Sequence, residues 1–426
     1  MMKLNRRLWI GCGLIFLLGL SIYFANNIFL SEYQFLDFDD DRHISSQVLI
    51  QHPNRSNLAR IWLEPLNGLY IPVTYSVWWS ISRFLGFYPV FFHRVNVLVH
   101  GLNGLLVFLL LLHYLGRWQR EKRGTEEGVL GCAFVSTFLF LWHPVQVEAV
   151  AWISEFRGLL GTFLGLIAIL SYSQQKSGTV ETSPVQKSVS PGGASRRQEK
   201  LQAARRQSER GRFWREWGSG LAKREWTNLG FIGGTCAFIL ALLAKPAVAI
   251  IPFAIWVFES FCFRSHSQID SNGIRRRMWL GTWTVLAVPF LFFTKSLQPD
   301  SSLAWVPPLG ARFFIAGDTL SFYLTKLLLP FHLVPDYGRT PGMVEQRGFI
   351  YWTWILALGV WIGIWRIRKN HPILCGVILS WGLSLIPVLG WVCFDYQRIS
   401  TVADRYLYFS VFFWAFGLGA FCLENG

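Results

Sequence analysis

Charged residues are scarce in this chain. Asp, Glu, Lys and Arg together make up 15% of its 426 residues, whereas a typical soluble domain contains about 25%. Apolar residues account for 52% of the sequence, and the mean hydropathy is positive at +0.34. This composition excludes an ordinary soluble domain and predicts an integral membrane protein.

Cysteine motifs and short alternating segments are absent as well. The seven cysteines lie in or at the ends of apolar runs without CxxC spacing, which argues against a disulfide framework or a zinc site. The apolar runs are also longer than the alternating segments of about 10 residues that build a membrane β-barrel. The sequence contains no evident internal repeat. We therefore predict an all-α, polytopic membrane protein.

The distribution of positive charge predicts which loops are cytoplasmic. The net charge is +15, and 26 of the 40 Lys and Arg residues fall in alternate loops. These basic loops are residues 3–7, 117–123, 176–224, 264–277 and 366–369. Because cytoplasmic loops are rich in Lys and Arg, we place these loops and the N-terminus in the cytoplasm. The positive charge therefore needs no nucleic-acid partner to explain it.

We predict about ten membrane spans and two interfacial helices. The spans are residues 8–30, 91–115, 129–142, 159–172, 229–244, 248–261, 278–293, 349–365, 372–392 and 406–422. A span at 66–85 would put the basic loop 117–123 outside, so we expect 66–85, like 313–329, to lie on the outer leaflet. The first span exceeds the length of a signal-peptide core, so we expect a retained signal anchor.

The predicted spans form two membrane halves separated by a polar insert. The first half, 1–172, carries an outer loop at 31–88, and the second half is 228–426. Residues 173–227 between them are rich in Ser, Gln, Gly, Arg and Lys. Because such a segment cannot bury enough apolar surface to fold, we expect a disordered cytoplasmic insert.

Charged side chains collect on the outer side of this topology. The segment 37–41 contains four carboxylates. Because carboxylates cannot lie in hydrocarbon, the outer loop must begin in water. The other polar groups expected on this side include His143, Glu148, Glu155, Arg157, Lys245, Asp336, Asp404 and Arg405. Arg and Lys suit the phosphate of a lipid headgroup, and a carboxylate suits acid–base chemistry on a hydroxyl. Residue chemistry alone leaves both an enzyme and a transporter open.

One face of the second predicted span is polar. His93, Asn96, His100 and Asn103 follow one another at spacings of three or four residues. Polar residues on one face of a membrane helix usually form hydrogen bonds to neighbouring helices. We expect that role here rather than ligand binding.

Seven motifs occur in an order that resembles one known family. They are Phe38-Asp39-Asp40-Asp41, Ile71-Pro72-Val73-Thr74, the polar face His93 to Asn103, His143-Pro144 to Trp152-Ile153-Ser154-Glu155, Leu243-Ala244-Lys245-Pro246, Pro335-Asp336-Tyr337-Gly338 and Ala403-Asp404-Arg405-Tyr406. Outside 173–226 the chain is similar to the membrane part of the transmembrane and tetratricopeptide-repeat protein O-mannosyltransferases and their bacterial relatives. The resemblance implies the GT-C glycosyltransferase fold and a bacterial inner membrane.

The resemblance implies transfer of a sugar, with mannose expected, from a polyprenyl-phosphate carrier to a protein Ser/Thr or glycan hydroxyl on the non-cytoplasmic face. We assign Asp39 as the base that accepts the hydroxyl proton, with Asp40 second, and we expect inversion at the sugar. The donor phosphate would meet Arg405 and Lys245, with Arg157 a weaker candidate. The expected sugar or acceptor pocket consists of His143, Glu148, Trp152, Asp336, Tyr337, Asp404 and Tyr406.

No cofactor is expected beyond the lipid-linked donor. The acidic loop could hold a divalent ion, as in some GT-C relatives, but three adjacent Asp residues on an extended segment cannot all face one ion. Two features depart from the family: Phe156-Arg157-Gly158 replaces the usual Arg-Lys-Asp, and the sequence reaches Gly426 without a further span or repeats. We therefore expect a relative without the repeat domain. A secondary transporter and a non-catalytic scaffold of a glycan assembly complex remain alternatives.

Overall fold

The computed structural model describes residues 2–25, 34–122, 128–174, 226–263, 271–297, 305–348 and 352–425. Within these residues the chain forms helices and turns and no β-strand, which confirms the all-α prediction. The helices are α1 (Met2–Ala25), α2 (Val48–Gln51), α3 (Arg55–Leu63), α4 (Pro72–Leu85), α5 (Pro89–Glu121), α6 (Val129–Trp142), α7 (Val147–Ala151), α8 (Phe156–Ser173), α9 (Trp226–Ala244), α10 (Ile251–Cys262), α11 (Ser271–Ser296), α12 (Leu309–Leu328), α13 (Pro341–Gln346), α14 (Trp354–Ile367), α15 (Pro372–Ser384) and α16 (Val411–Asn425). Most of the predicted insert, at 175–225, lies outside the described residues.

Several helices are long and apolar enough to cross a membrane. In the described part of the chain these are Pro89–Glu121, Ile153–Ser173 and Ile274–Ser296. Val129–Trp142 and Pro144–Ala151, bent by 51° at their junction, add a fourth if the pair is one span. The shorter apolar helices are Ile10–Ser21, Leu229–Ala244, Pro246–Cys262, Trp354–Ile367, Pro372–Val388 and Val411–Asn425. Three or four candidate spans support a membrane protein, and the count of ten stays a prediction.

The long helix α5 lies at the centre of the bundle and packs against α1, α6, α8 and α16. Its polar face makes the predicted interhelical hydrogen bonds. Asn96 Nδ2 donates to the carbonyl of Trp152 at 2.9 Å, and Asn103 Nδ2 donates to the hydroxyl of Tyr408 at 3.0 Å. The Nδ1 atom of His100 lies 2.8 Å from the same hydroxyl. These bonds hold the segments on either side of α5 in fixed positions.

The chain bends sharply after α6 because Pro144 cannot continue the helix. His143 stabilises the bend, since its Nδ1 accepts the backbone N–H of Val145 at 3.3 Å. Its Nε2 donates to the carbonyl of Leu327 in α12 at 2.9 Å. The bend therefore carries the short helix α7, with Glu148, across the end of the bundle. His143 therefore stabilises the backbone at the bend, and neither of these two hydrogen bonds involves a charged group.

A separate group of charges joins the helices at the other end of α8. The hydroxyl of Tyr172 donates to Glu259 Oε2 in α10 at 2.8 Å, and Arg276 of α11 forms an ion pair with the same carboxylate. Tyr172 is 15 residues beyond Arg157 on α8, a rise of roughly 22 Å along the axis. Glu259 is therefore a partly buried carboxylate, 13% exposed, far from the acidic loop.

Candidate active site

The acidic loop is attached to the start of α8 through Asp40. This side chain is fully buried, and its Oδ1 accepts hydrogen bonds from the backbone N–H of Ser154 at 2.9 Å and from the Ser154 hydroxyl. Its Oδ2 accepts the N–H of Leu36 at 3.1 Å. Burial raises the pKa of the Asp40 carboxyl, against the lowering effect of these hydrogen bonds. Asp40 thus fixes where the loop lies.

The extended conformation that we predicted for this loop is wrong. Residues Asp41–Ser45 form one turn of π-helix, which is closed by the hydrogen bond from the N–H of Ser46 to the carbonyl of Asp41 at 2.9 Å. The three adjacent acids take different partners. The exposed Asp41 accepts the N–H of its neighbour Arg42 at 2.7 Å, whereas Asp39 points towards α8.

Asp39 forms an ion pair with Arg157, whose Nη2 lies 2.9 Å from Asp39 Oδ2. About a quarter of the Asp39 side chain, 26%, stays exposed. Burial alone would raise the pKa of Asp39, but the positive charge of Arg157 outweighs it and holds the pKa below its ordinary value. The carboxylate is therefore ionised and accessible, and it is held by a guanidinium.

Glu155 joins the three cations of this region. Its Oε1 pairs with Lys245 Nζ. Its Oε2 lies 3.6 Å from Arg157 Nε and 3.5 Å from Arg405 Nε. The Glu155 side chain is only 1% exposed. We define the ion cluster as Asp39, Glu148, Glu155, Arg157, Lys245 and Arg405, in which three carboxylates balance three cations.

Arg405 is the most enclosed cation of the ion cluster, with 1% of its side chain exposed. Glu148 accepts from its Nη1 and, at 2.8 Å, from its backbone N–H. The guanidinium carbon lies 4.6 Å from the ring centroid of Trp152, 4.1 Å from that of Tyr396 and 5.0 Å from that of Tyr406. Aromatic faces attract a cation without neutralising it. Arg405 is thus held in place while remaining positively charged.

A largely apolar cavity reaches the ion cluster from one side. Lys245 and Arg405 are among its lining residues, together with Tyr406 and Tyr408. Its apolar walls include Val248, Ile251, Pro387, Val388 and Phe409. The empty space, open mouth included, is about 550 Å³. Such a cavity can accept a ligand with an apolar body and an anionic end.

The remaining predicted pocket residues take no part in the ion pairs that the structure describes. The hydroxyl of Tyr337 lies 2.9 Å from each carboxylate oxygen of Asp404, and Asp404 is 2% exposed. Asp336 is exposed and accepts the N–H of Gly338 at 2.7 Å, which closes its own turn. The structure therefore brings Trp152 and Tyr406 to the ion cluster, whereas His143 and Asp336 form hydrogen bonds to backbone groups.

The Asp404 carboxyl predicts a pH-dependent stability. Burial raises its pKa to about 7 from 3.8, so between these values the unfolded chain releases a proton that the folded protein keeps. The contribution of Asp404 to the free energy of unfolding is therefore fully present below pH 4 and is lost as the pH rises towards 7. Relative to Asp404→Asn, we expect the wild type to lose about 2–4 kcal/mol over this interval. Unfolding of both purified proteins in detergent at pH 4 and 7 measures this change. A constant difference would contradict it.

Sequence reasoning assigned no role to Glu155, Ser154 or Tyr396. Glu155 stood in the fourth motif and among the outer charges, and an ionisable residue at membrane depth is by itself a functional signal. Ser154 and Tyr396 carry no such signal. They matter because folding places them against Asp40 and Arg405, which are distant in sequence.

Comparison with known proteins finds partial similarity to protein O-mannosyl-transferases. Protein O-mannosyl-transferase TMTC4 of Mus musculus is 38% identical over 95 residues, which cover 21% of this chain and 12% of that protein. Protein O-mannosyl-transferase TMTC1 is 38% identical in Mus musculus and 36% identical in Homo sapiens, each over 89 residues. Those matches cover 21% of this chain and 8% and 9% of the two relatives. The similarity points to a glycosyltransferase.

These matches span a small part of each relative, so they support the family resemblance only over about a fifth of the chain. No protein-family model matches the chain, and no solved structure is similar to it. Donor, acceptor and mechanism therefore have to be argued from the site.

Proposed function

We propose that this protein is a GT-C type membrane glycosyltransferase that moves a sugar, with mannose expected, from a polyprenyl-phosphate carrier to a hydroxyl of a protein or glycan on the non-cytoplasmic side. One observation carries the proposal: the ion cluster combines an accessible carboxylate, Asp39, with two cations that line an apolar cavity. The partial similarity to protein O-mannosyl-transferases supports the same reaction class.

The cavity suits a lipid-linked donor. An isoprenoid chain would lie against apolar side chains such as Val248 and Phe409, which excludes water from both surfaces. The phosphate would then meet Lys245 and Arg405, where the guanidinium can form paired hydrogen bonds and the ammonium supplies a compact charge. A free sugar nucleotide lacks the apolar part that this cavity would bind.

The chemistry needs one base and stabilisation of one growing negative charge. The acceptor oxygen forms a bond to the anomeric carbon as the carbon–oxygen bond to the phosphate breaks. Asp39 takes the acceptor proton, and the phosphate leaves as a doubly charged monoester in place of a singly charged diester. Arg405 and Lys245 stabilise the added charge. Attack opposite the phosphate inverts the anomeric carbon, since no second carboxylate forms a glycosyl intermediate.

Asp39 and Asp40 have different roles in this proposal. Asp40 is closed off by its bonds to Ser154 and Leu36, so it positions the loop. Asp39 is a weak base while Arg157 holds its pKa low. A donor phosphate that competes for Arg157 would weaken that pair and raise the pKa of Asp39 towards the range that favours general-base catalysis.

Transfer from radiolabelled polyprenyl-phosphate mannose tests the proposal. We expect product in proteoliposomes that contain the purified protein and a Ser/Thr-rich peptide or glycan acceptor, and none from a nucleotide mannose. Lys245→Gln should raise the donor KM about tenfold, because it removes one charge from the phosphate site. Absence of transfer from every lipid-linked donor would reject the proposal. Sugar flux without transfer would then indicate a transporter.

A further inference from the structure

We infer that Glu155 is the positioning residue of the phosphate site, an inference that rests on the proposed function. Its carboxylate holds the ammonium of Lys245 and the guanidinium groups of Arg157 and Arg405 at the positions where they meet the donor phosphate. Glu155 itself touches neither the sugar nor the acceptor in this arrangement, because its side chain is 1% exposed.

The contacts of Glu155 are divided between its two oxygens. Oε1 forms an ion pair with Lys245 Nζ, and Oε2 lies 3.6 Å from Arg157 Nε and 3.5 Å from Arg405 Nε. Each Arg also has an outer carboxylate, Asp39 for Arg157 and Glu148 for Arg405. In the described residues, Glu155 is the carboxylate within ion-pair distance of Lys245. Glu155 therefore decides where Lys245 lies and sets the separation of the two Arg side chains.

Helix α8, which begins directly after Glu155, leaves room for this arrangement at Gly158. A Cβ atom at this position would overlap Glu155 Oε1 and lie 2.8 Å from Lys245 Nζ. An alanine here would displace the pair without changing the net charge. Glycine here is thus an independent sign that the pair needs the space beside α8.

Neutralising Glu155 should separate binding from chemistry. The three cations would then face only Asp39 and Glu148, so the site gains positive charge and an anionic donor is still attracted. The cations would spread apart, however, and the phosphate would no longer be aligned with Asp39. Because a misplacement of about 1 Å can cost roughly 10²-fold in rate, the defect should fall on kcat and not on donor KM.

The test compares Glu155→Gln with Glu155→Asp, Gly158→Ala and the matched control Glu259→Gln. We expect kcat for Glu155→Gln to fall about 10–100-fold with donor KM unchanged or lower. Glu155→Asp should recover part of the rate, since it restores the charge, and Gly158→Ala should lower kcat with no change in charge. Glu259→Gln neutralises a partly buried carboxylate that contacts the other end of α8, and it should leave both constants within about twofold, as expected for a site roughly 22 Å away.

Two results would overturn the inference: a Glu155→Gln kcat within about twofold of wild type, or a donor KM that rises as it does in Lys245→Gln. Gly158→Ala decides the question if Glu155→Gln does not accumulate in membranes. Binding of polyprenyl phosphate in nanodiscs is measured separately from transfer. If the wild type transfers no sugar, the proposed function fails, and the inference then stands only if Glu155→Gln retains affinity that Lys245→Gln loses.

Discussion

Replacing Asp39 with Asn should lower sugar transfer about 10²–10⁴-fold, the usual contribution of a general base. The Asn side chain has nearly the same shape and can still accept a hydrogen bond from Arg157, so the loop should keep its position. It cannot take up the acceptor proton. We therefore expect the loss in kcat, measured with saturating polyprenyl-phosphate mannose, and little change in donor KM.

Asp41 supplies the matched control for this result. It lies in the same loop, it is exposed, and its carboxylate accepts only the neighbouring N–H of Arg42 among the bonds that the structure describes. Asp41→Asn should therefore retain transfer within about twofold, as is usual for a surface change. Equal transfer by Asp39→Asn and wild type would remove Asp39 from its role as base. An equal loss in both variants would show a general effect of loop charge.

Replacing Arg405 with Gln should abolish transfer and destabilise the protein by about 3–5 kcal/mol, because it leaves the buried carboxylate of Glu148 without its cation. The carboxylate is 8% exposed and would keep only the backbone N–H of residue 405. The attraction of the guanidinium to Trp152 and Tyr396 would be lost as well. Thermal unfolding in detergent and the transfer assay measure the two effects separately.

The double variant Arg405→Gln with Glu148→Gln separates stability from function. Removing both charges eliminates the unpaired carboxylate, so we expect most of the stability to return. Transfer should stay absent, since the phosphate site still lacks Arg405. Recovery of transfer in the double variant would contradict the phosphate role. Failure to recover stability would show that the aromatic contacts of Arg405 dominate.

Apolar periodicity predicted where helices lie better than where they end. The run 129–142 matches α6 at both ends, because it is apolar throughout and Pro144 follows directly. Helix α5 continues to Glu121, beyond the predicted end at 115, since Arg117 and Glu121 form an ion pair at 3.2 Å one turn apart. The predicted span 372–392 is longer than the helix found there, because α15 ends at Ser384, shortly before Pro387.

The sequence singled out charged residues of the ion cluster, but it did not predict which of them form ion pairs with each other. Arg157, Lys245 and Arg405 stood out because charged residues at membrane depth are costly, and Asp39 stood out because four carboxylates occur within residues 37–41. The pairing of Asp39 with Arg157 joins segments 118 residues apart, and the contact of Glu155 with Arg405 joins segments 250 residues apart (405 − 155). No local pattern encodes such pairing. It arises when the bend at His143 and the turn at Asp40 bring the segments together.

Tyr408 forms part of the cavity wall, and its hydroxyl is held from behind by His100 and Asn103. To widen the cavity at this point, both of those buried hydrogen bonds would have to break. The position of this part of the cavity wall is therefore fixed by the central helix α5. A slender, flexible tail can pass such a rigid wall, whereas a broad, fused-ring lipid would have to displace it.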